Sequence, residues 1–358
     1  MDSNRRIFLK GLSGAVLLSL ADVSQLLAGQ ETGSGARAPL NFIIPRDYLP
    51  PSETADKNYR QALTRAALEV LQANFSNQPM PVWGKTFREV DLEKRIYHII
   101  YWILRAVREC QHIYPLDPAW IAAQIMKESY FHEFAISRAL AVGICQVIQP
   151  TAQEHGILCA GTRPEHRQPP YRLPEAGGKA DEYYQLRRER GEYRRGNRPA
   201  KEFTLEETLQ ILAAGDRADY RREAGEYLAY LNRLKQFDEQ INQARDEFRA
   251  YLLANVEGRD IFADPDLNFI LNFDERFSYK KPVYTMVRML AGGLKSRNGN
   301  ILAATAGYNA GLYRTADEGM YKPYGKIPSL DETATYVSHV LINHYEITLK
   351  LEAIASQP

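Results

Sequence analysis

The stretch KESYFHEFAISRALAVGICQVIQPTA, residues Lys127 to Ala152, closes a helix on a carboxylate and then turns to small residues, a lone cysteine and a glutamine. Just upstream, Asp117 and Pro118 provide a helix start. An aspartate side chain accepts from free N–H groups, and proline has no donor to lose in the first turn. In PAWIAAQIMKES, Ile121, Ile125 and Glu128 follow at spacings of four and three and so share one face. A carboxylate therefore stands on a stripe otherwise suited to burial. Desolvation penalises an ionised carboxylate and raises its pKa, which suits a general acid. Periodicity alone equally allows Glu128 to point to water from a frayed helix end.

Helical signals dominate on either side. The run DLEKRIYHIIYWILRAVREC repeats Ile96, Ile99, Ile100, Ile103 and Val107 at helical spacing, a core stripe. Before it, residues from about Ala55 to Ala73 carry Ala62, Ala66, Leu68 and Leu71 among charges. Thr204 with Glu207, and Ser329 with Glu332, each have the spacing of a capping box, so both glutamates have a structural use as helix starts. A long segment after Tyr227 places Leu231, Leu234, Phe237 or Asp238, Ile241 and Phe248 in one stripe. Together these patterns predict an all-α fold.

With 358 residues and 45% hydrophobic content, the chain can bury a substantial core. A formal net charge of +1 gives no global attraction to nucleic acid or to an anionic membrane, so nucleic acid is not an expected partner. The seven histidines show no HExxH spacing and no CxxC occurs, so neither a metal nor another cofactor is expected. Cys110, Cys145 and Cys159 are odd in number; if a bridge forms, Cys145 with Cys159 is the expected pair. At the N-terminus, Arg5 and Arg6 precede a moderately apolar run that resembles a twin-arginine export signal, too short for a stable membrane span. Gln30 stands where a lipoprotein box needs cysteine. The expected location is therefore the periplasm, without a lipid anchor. Residues 30–54 read as a linker and extended arm.

The segment ESYFHEFAIS, then ALAVGICQ, then TA is similar to the catalytic domain of lytic transglycosylases, goose-type-lysozyme-like enzymes that cut the glycan of bacterial peptidoglycan. Glu128, Ser129, Ser137, Gly143, Gln146, Thr151 and Ala152 fall on the positions of that pattern. Leu140 stands where the family has glycine, and Ile144 with Cys145 replaces Leu-Met. Downstream, DPDLNF from Asp264, NGNILAATAGYNAG ending at Gly311, and IPSLDETATYV from Ile327 continue the resemblance in order.

The resemblance implies a lysozyme-like catalytic domain in two parts, 116–156 and 263–358, preceded by a helical region, 55–115, and interrupted by a helical insertion, 157–262. It also implies a mechanism with Glu128 as the single acid and base, acting between N-acetylmuramic acid and N-acetylglucosamine and leaving a 1,6-anhydro end. Tyr308 would orient Glu128. Ser137, Gln146 and Asn309 would hold sugar and acetamido groups, with Glu332 and Tyr336 also beside the groove. Peptidoglycan strands are the implied partner, with wall or secretion machinery as a further candidate. The arginines from Arg187 to Arg198 form either a solvated face or a patch for acidic stem peptides. Two other functions fit the sequence. A hydrolase acting on peptidoglycan or chitin would need a second acid, from Glu133, Asp264 or Glu332. A non-catalytic glycan-binding scaffold would keep the fold with a dead site.

Overall fold

The structure is a computed structural model that describes residues 42–50, 56–75, 86–214, 220–320 and 322–356. The export signal and the lipoprotein box lie outside the described residues. The molecule is all-α; isolated bridges join Ile43 to Asn300, Ile136 to Val142 and Val142 to Val147. Two compact units emerge: residues 160–259, and the remainder on either side of them in sequence.

In the larger unit, α1 (Asp56–Phe75), α2 (Leu92–Cys110), α9 (Lys280–Ser296), α10 (Ile301–Ala310) and α11 (Asp331–Ala355) pack each on the next, and α11 returns to α1. Inside this ring runs α3 (Pro118–Ser129), against α11 and α2. Residues Trp120 to Met126 of α3 are all buried, so the helix is enclosed on every side up to its last turn. The α2 stripe Ile96, Ile99, Ile100, Ile103 and Val107 is buried as its spacing predicts. In α1 the buried set is Leu63, Ala66, Ala67, Val70 and Leu71, while Leu68 is only half-buried.

Both ends of α3 are fixed by side chains. Asp117 Oδ1 accepts from the Ala119 amide at 2.9 Å, and its Oδ2 meets His344 Nε2 of α11 at 2.6 Å. Midway, the Trp120 indole donates to Thr305 Oγ1 of α10 at 3.1 Å. The extended arm is pinned as well: Ile44 donates to the Gly299 carbonyl, and the Tyr114 hydroxyl donates to that of Ile44.

Residues 160–259 hold α5 (Lys179–Gly196), α6 (Leu205–Ala214) and α7 (Arg221–Val256), with α4 (Gln149–Glu154) and α8 (Asp264–Phe273) outside them in the larger unit. α5 and α7 form an antiparallel hairpin, as the pairs Lys179 with Glu247, Arg190 with Asp238, and Tyr193 with Tyr230 show. Phe237, Ile241 and Phe248 are buried as expected, but Leu231 is exposed and Tyr230 is buried in its place. The buried stripe Tyr230, Phe237, Ala244 and Tyr251 recurs every seven residues, and Leu231, one position on from Tyr230, falls outside it. The Thr204 capping box forms, with Glu207 accepting from the Thr204 amide and donating its own to Thr204 Oγ1. The expected box at Ser329 does not: α11 begins at Asp331 with Leu330, which has no capping oxygen, in the cap position.

The cysteines also depart from expectation. Cys110, Cys145 and Cys159 are all free and buried, so the Cys145 to Cys159 bridge is absent. Burial raises all three thiols, Cys159 to about 12, which leaves them protonated and poor partners for oxidation.

The irregular chain after α3 rests on a buried ion pair. Arg276 and Asp274, both fully buried, make a bidentate contact at 2.9 and 2.6 Å. Arg276 Nη1 then donates to the carbonyls of Leu140 and Val147 at 3.4 and 3.3 Å. Removing one member of a buried pair strands the other charge and costs about 3–5 kcal/mol, whereas replacing both by apolar residues is often nearly neutral. Arg276→Leu is therefore expected to lose about that much in urea unfolding, with Asp274→Leu/Arg276→Leu recovering most of the loss.

Candidate functional site

Glu128 occupies the last turn of α3, half-buried where the rest of the helix is enclosed. The helix stops because Tyr130 and Phe131 turn left-handed, with φ of 54° and 63°, and the Tyr130 amide caps the Met126 carbonyl. Ser129 is buried, and its hydroxyl donates across the turn to the Ile144 carbonyl at 2.9 Å. The end of α3 and the GICQ segment are thereby joined directly.

The loop from Phe131 to Val147 folds back on itself through short backbone pairs. Ser137 donates to Ala141, Gly143 to Ala135, and Val142 with Val147 exchange two bonds at 3.2 Å. Ser137 is buried, and its oxygen accepts from the amides of Ala139 and Ala141 at 3.1 and 2.9 Å, so here it shapes the loop. Gly143 has φ +77°, and a Cβ built there would stand 1.9 Å from the Arg276 carbonyl oxygen, so no other residue fits. Leu140, where the resemblance has glycine, takes φ +58°, a left-handed conformation that glycine adopts without strain. Gln146 is half-buried; its amide donates to the Ala135 and Gly143 carbonyls at 3.1 and 2.9 Å.

Two further helices close the site. The Tyr308 hydroxyl, near the end of α10, donates to the Cys145 carbonyl at 2.7 Å. Its neighbour Asn309 accepts from Thr333 Oγ1 of α11 at 2.9 Å. One turn further along α11, the Tyr336 hydroxyl donates to Glu128 Oε1 at 2.5 Å. Burial, then the Glu128 charge, push the Tyr336 phenol well above its ordinary range, so it stays a donor. Tyr336, on α11, thus bonds Glu128 directly. Glu332, half-buried, lies one turn before Tyr336 on the same face of α11.

The candidate second carboxylates part company. Glu133 is fully buried, with Arg95 Nε at 3.0 and 3.3 Å from its two oxygens and the Tyr279 hydroxyl at 3.5 Å. That places it in a sealed structural cluster rather than in a groove. Asp264 is an exposed residue in the first turn of α8. Among the described residues no group of three or more His, Cys, Asp or Glu side chains could hold a metal ion, and no helix is long and apolar enough to cross a membrane.

Residues 105–176 match the family model of the transglycosylase SLT domain. The match runs from the second half of α2 through α3, the loop and α4, and so contains Glu128, Ser137 and Gln146. It is consistent with a lytic transglycosylase of lysozyme-like, all-α architecture acting on peptidoglycan. No curated protein and no solved structure matches the chain. Tyr308, Asn309, Glu332 and Tyr336 lie beyond the SLT-domain match, and hydrogen bonds through Cys145, Thr333 and Glu128 connect their helices to it.

Sequence reading missed Asp274 and Arg276, because NFDERF reads as a polar turn with no hint that both charges are interior. It also missed the basic neighbours of Glu128. Burial pulls the Lys127 ammonium down to about 8, against the pull of Glu128, and lowers His339 to about 4, with Lys127 adding to the effect. His132 lies inside the loop, its Nδ1 accepting from the Phe134 amide at 2.9 Å, and burial lowers it to about 3. Above about pH 6.5, His132 is neutral in folded and unfolded chains alike. As pH falls below that value, only the unfolded chain takes up the proton, so stability drops towards the folded-state pKa. Melting temperature should therefore decline between about pH 6.5 and 4. His132→Asn, whose Oδ1 can accept the Phe134 amide, should make that decline shallower.

Proposed function

We propose that this protein is a peptidoglycan lytic transglycosylase in which Glu128 is both acid and base. The observation that carries the reading is the placement of Glu128: a half-buried carboxyl at the end of an enclosed helix, held by Tyr336 and bordered by the loop that the SLT-domain match covers. Glu128 as a carboxylic acid gives its proton to the glycosidic oxygen between N-acetylmuramic acid and N-acetylglucosamine as the bond from C1 breaks. As a carboxylate it then takes the proton of the muramic acid C6 hydroxyl, whose oxygen closes on C1. The product is a 1,6-anhydro end, Glu128 is reprotonated, and no water is consumed.

Retaining and inverting hydrolases commonly use two carboxylates about the scissile bond. Burial of Glu133 with Arg95 favours the one-carboxylate route, since the acid nearest to Glu128 in sequence is committed elsewhere. Glu332 is the acid whose position keeps a hydrolase open as the second reading. In the proposed account it sits beside the groove with Tyr336, while Gln146, Asn309 and the Ser137 turn shape the surface against the sugars. The protein acts in the periplasm after export by the twin-arginine signal, on glycan strands, and needs no metal or other cofactor.

Digestion of purified sacculi followed by mass spectrometry of the released muropeptides tests the reaction. The wild type is expected to give anhydro-ended products, and Glu128→Gln to release them at least about 100-fold more slowly, the scale of a lost general acid. Reducing-ended products that vanish in Glu332→Gln would instead identify a two-carboxylate hydrolase.

A further inference from the structure

Away from Glu128, the second half of α2 and the first half of α9 border an open pocket of about 450 Å³. Its walls carry Trp102, Arg105, Lys280, Tyr284 and Arg288, none of which the mechanism uses. Trp102 and Tyr284 meet edge to face with centroids 6.4 Å apart, and the Lys280 ammonium lies 5.5 Å from the Trp102 centroid. The pocket thus has an apolar, flat-sided wall with cations around it.

The charge balance is one-sided. Glu109 is the single carboxylate among the lining residues, and it sits against the Tyr284 hydroxyl. Lys281 is already held by Glu275 Oε2 at 2.6 Å and the Gly156 carbonyl at 3.2 Å. Arg105 on α2 donates to the uncharged Tyr101 hydroxyl at 2.6 Å, and with Lys280 and Arg288 on α9 it gives the pocket three cations for a ligand, on a chain whose overall charge is only +1. Arginine forks suit carboxylates in particular, and aromatic faces suit the aliphatic carbons between them. The volume is within the range of about 300–1,000 Å³ typical of small-ligand sites, room for a peptide of a few residues rather than a lone inorganic anion.

We propose that this pocket binds the acidic stem peptide carried by peptidoglycan strands, with Arg105, Lys280 and Arg288 taking carboxylates and Trp102 and Tyr284 contacting the carbon chain. The identity of the peptide rests on the transglycosylase reading; the charge and shape of the pocket do not. Such a site would let the enzyme grip a peptide-bearing strand at a point separate from the glycosidic bond it cuts. It also relocates peptide recognition from the arginines of α5 and the residues just after it, where Arg187 leans on Tyr183, and Arg190 and Arg198 are paired with Asp238 and Glu202.

Calorimetric titration of the full protein with the tripeptide alanyl-γ-glutamyl-diaminopimelate, and with the same tripeptide fully amidated, tests the proposal. The acidic form should bind, and the amidated form should bind at least about tenfold more weakly. Arg105→Gln/Arg288→Gln should weaken the acidic form by a similar factor, and Lys280→Gln should weaken it in part. All three residues are exposed, and the circular dichroism of the variants should match the wild type. Arg188→Gln/Arg194→Gln, which removes the same charge from α5, should bind like the wild type. Absence of binding, equal binding of the amidated form, or an unchanged Arg105/Arg288 variant would overturn the proposal. Sacculus digestion separates the two readings. Anhydro products without tripeptide binding would keep the transglycosylase and remove the pocket. Tripeptide binding lost in the Arg105/Arg288 variant, with no glycan cleavage, would keep the pocket and remove the transglycosylase.

Discussion

The hydrogen bond from Tyr336 to Glu128 joins residues 208 positions apart, and the geometry of the site depends on it. Glu128 ends a helix whose other seven-residue core segment is enclosed, so its side chain emerges where the ring of helices opens. A carboxylate in that setting needs a donor that stays protonated, and a buried phenol beside it provides one. α11 supplies Tyr336 at one end and His344, bonded to Asp117, nearer the other. Because the same two helices meet at both points, α3 can neither slide nor rotate without breaking one of them.

Three of the segments of the family pattern, those at Glu128 to Ala152, at Tyr308 to Gly311 and at Ile327 to Val337, become one connected object through a short series of bonds. Ser129 reaches the Ile144 carbonyl, Tyr308 reaches that of Cys145, Asn309 accepts from Thr333, and Tyr336 returns to Glu128. The loop within this circuit is held from outside by Arg276, which explains why two charges are sunk into the interior. Leu140 shows how a departure from the pattern is absorbed. A left-handed non-glycine residue costs about 1–2 kcal/mol, a size comparable with what burial of a leucine side chain contributes. Leu140 is 1% exposed, so the strain and the gain belong to the same residue.

Much of this was legible in the sequence where the governing physics is local. The α2 stripe, the Asp117-Pro118 start and the Thr204 box depend on neighbours within one or two turns, and each appears as its spacing predicts. Reading failed where the partner is distant. Nothing in NFDERF announces that Arg276 faces Leu140 and Val147, and Glu133 looks like a second acid until Arg95 is seen against it. The Ser329 box failed for a different reason: the chain starts the helix one residue later than the motif requires, leaving Leu330 at the cap. Leu231 is exposed because the buried stripe runs through Tyr230, Phe237, Ala244 and Tyr251 at steps of seven, whereas Leu231 is in step with Asp238, the other residue the pattern allowed.

The claim that Tyr336 holds the working carboxyl is tested most directly by the rate at which Tyr336→Phe releases muropeptides from sacculi, compared with Tyr308→Phe. A hydrogen bond to a charged group contributes about 1.5–3 kcal/mol, so the account predicts turnover slower by about 10–100-fold in Tyr336→Phe, with sacculus binding and melting temperature close to wild type. Wild-type turnover in Tyr336→Phe, with the loss appearing in Tyr308→Phe instead, would contradict it.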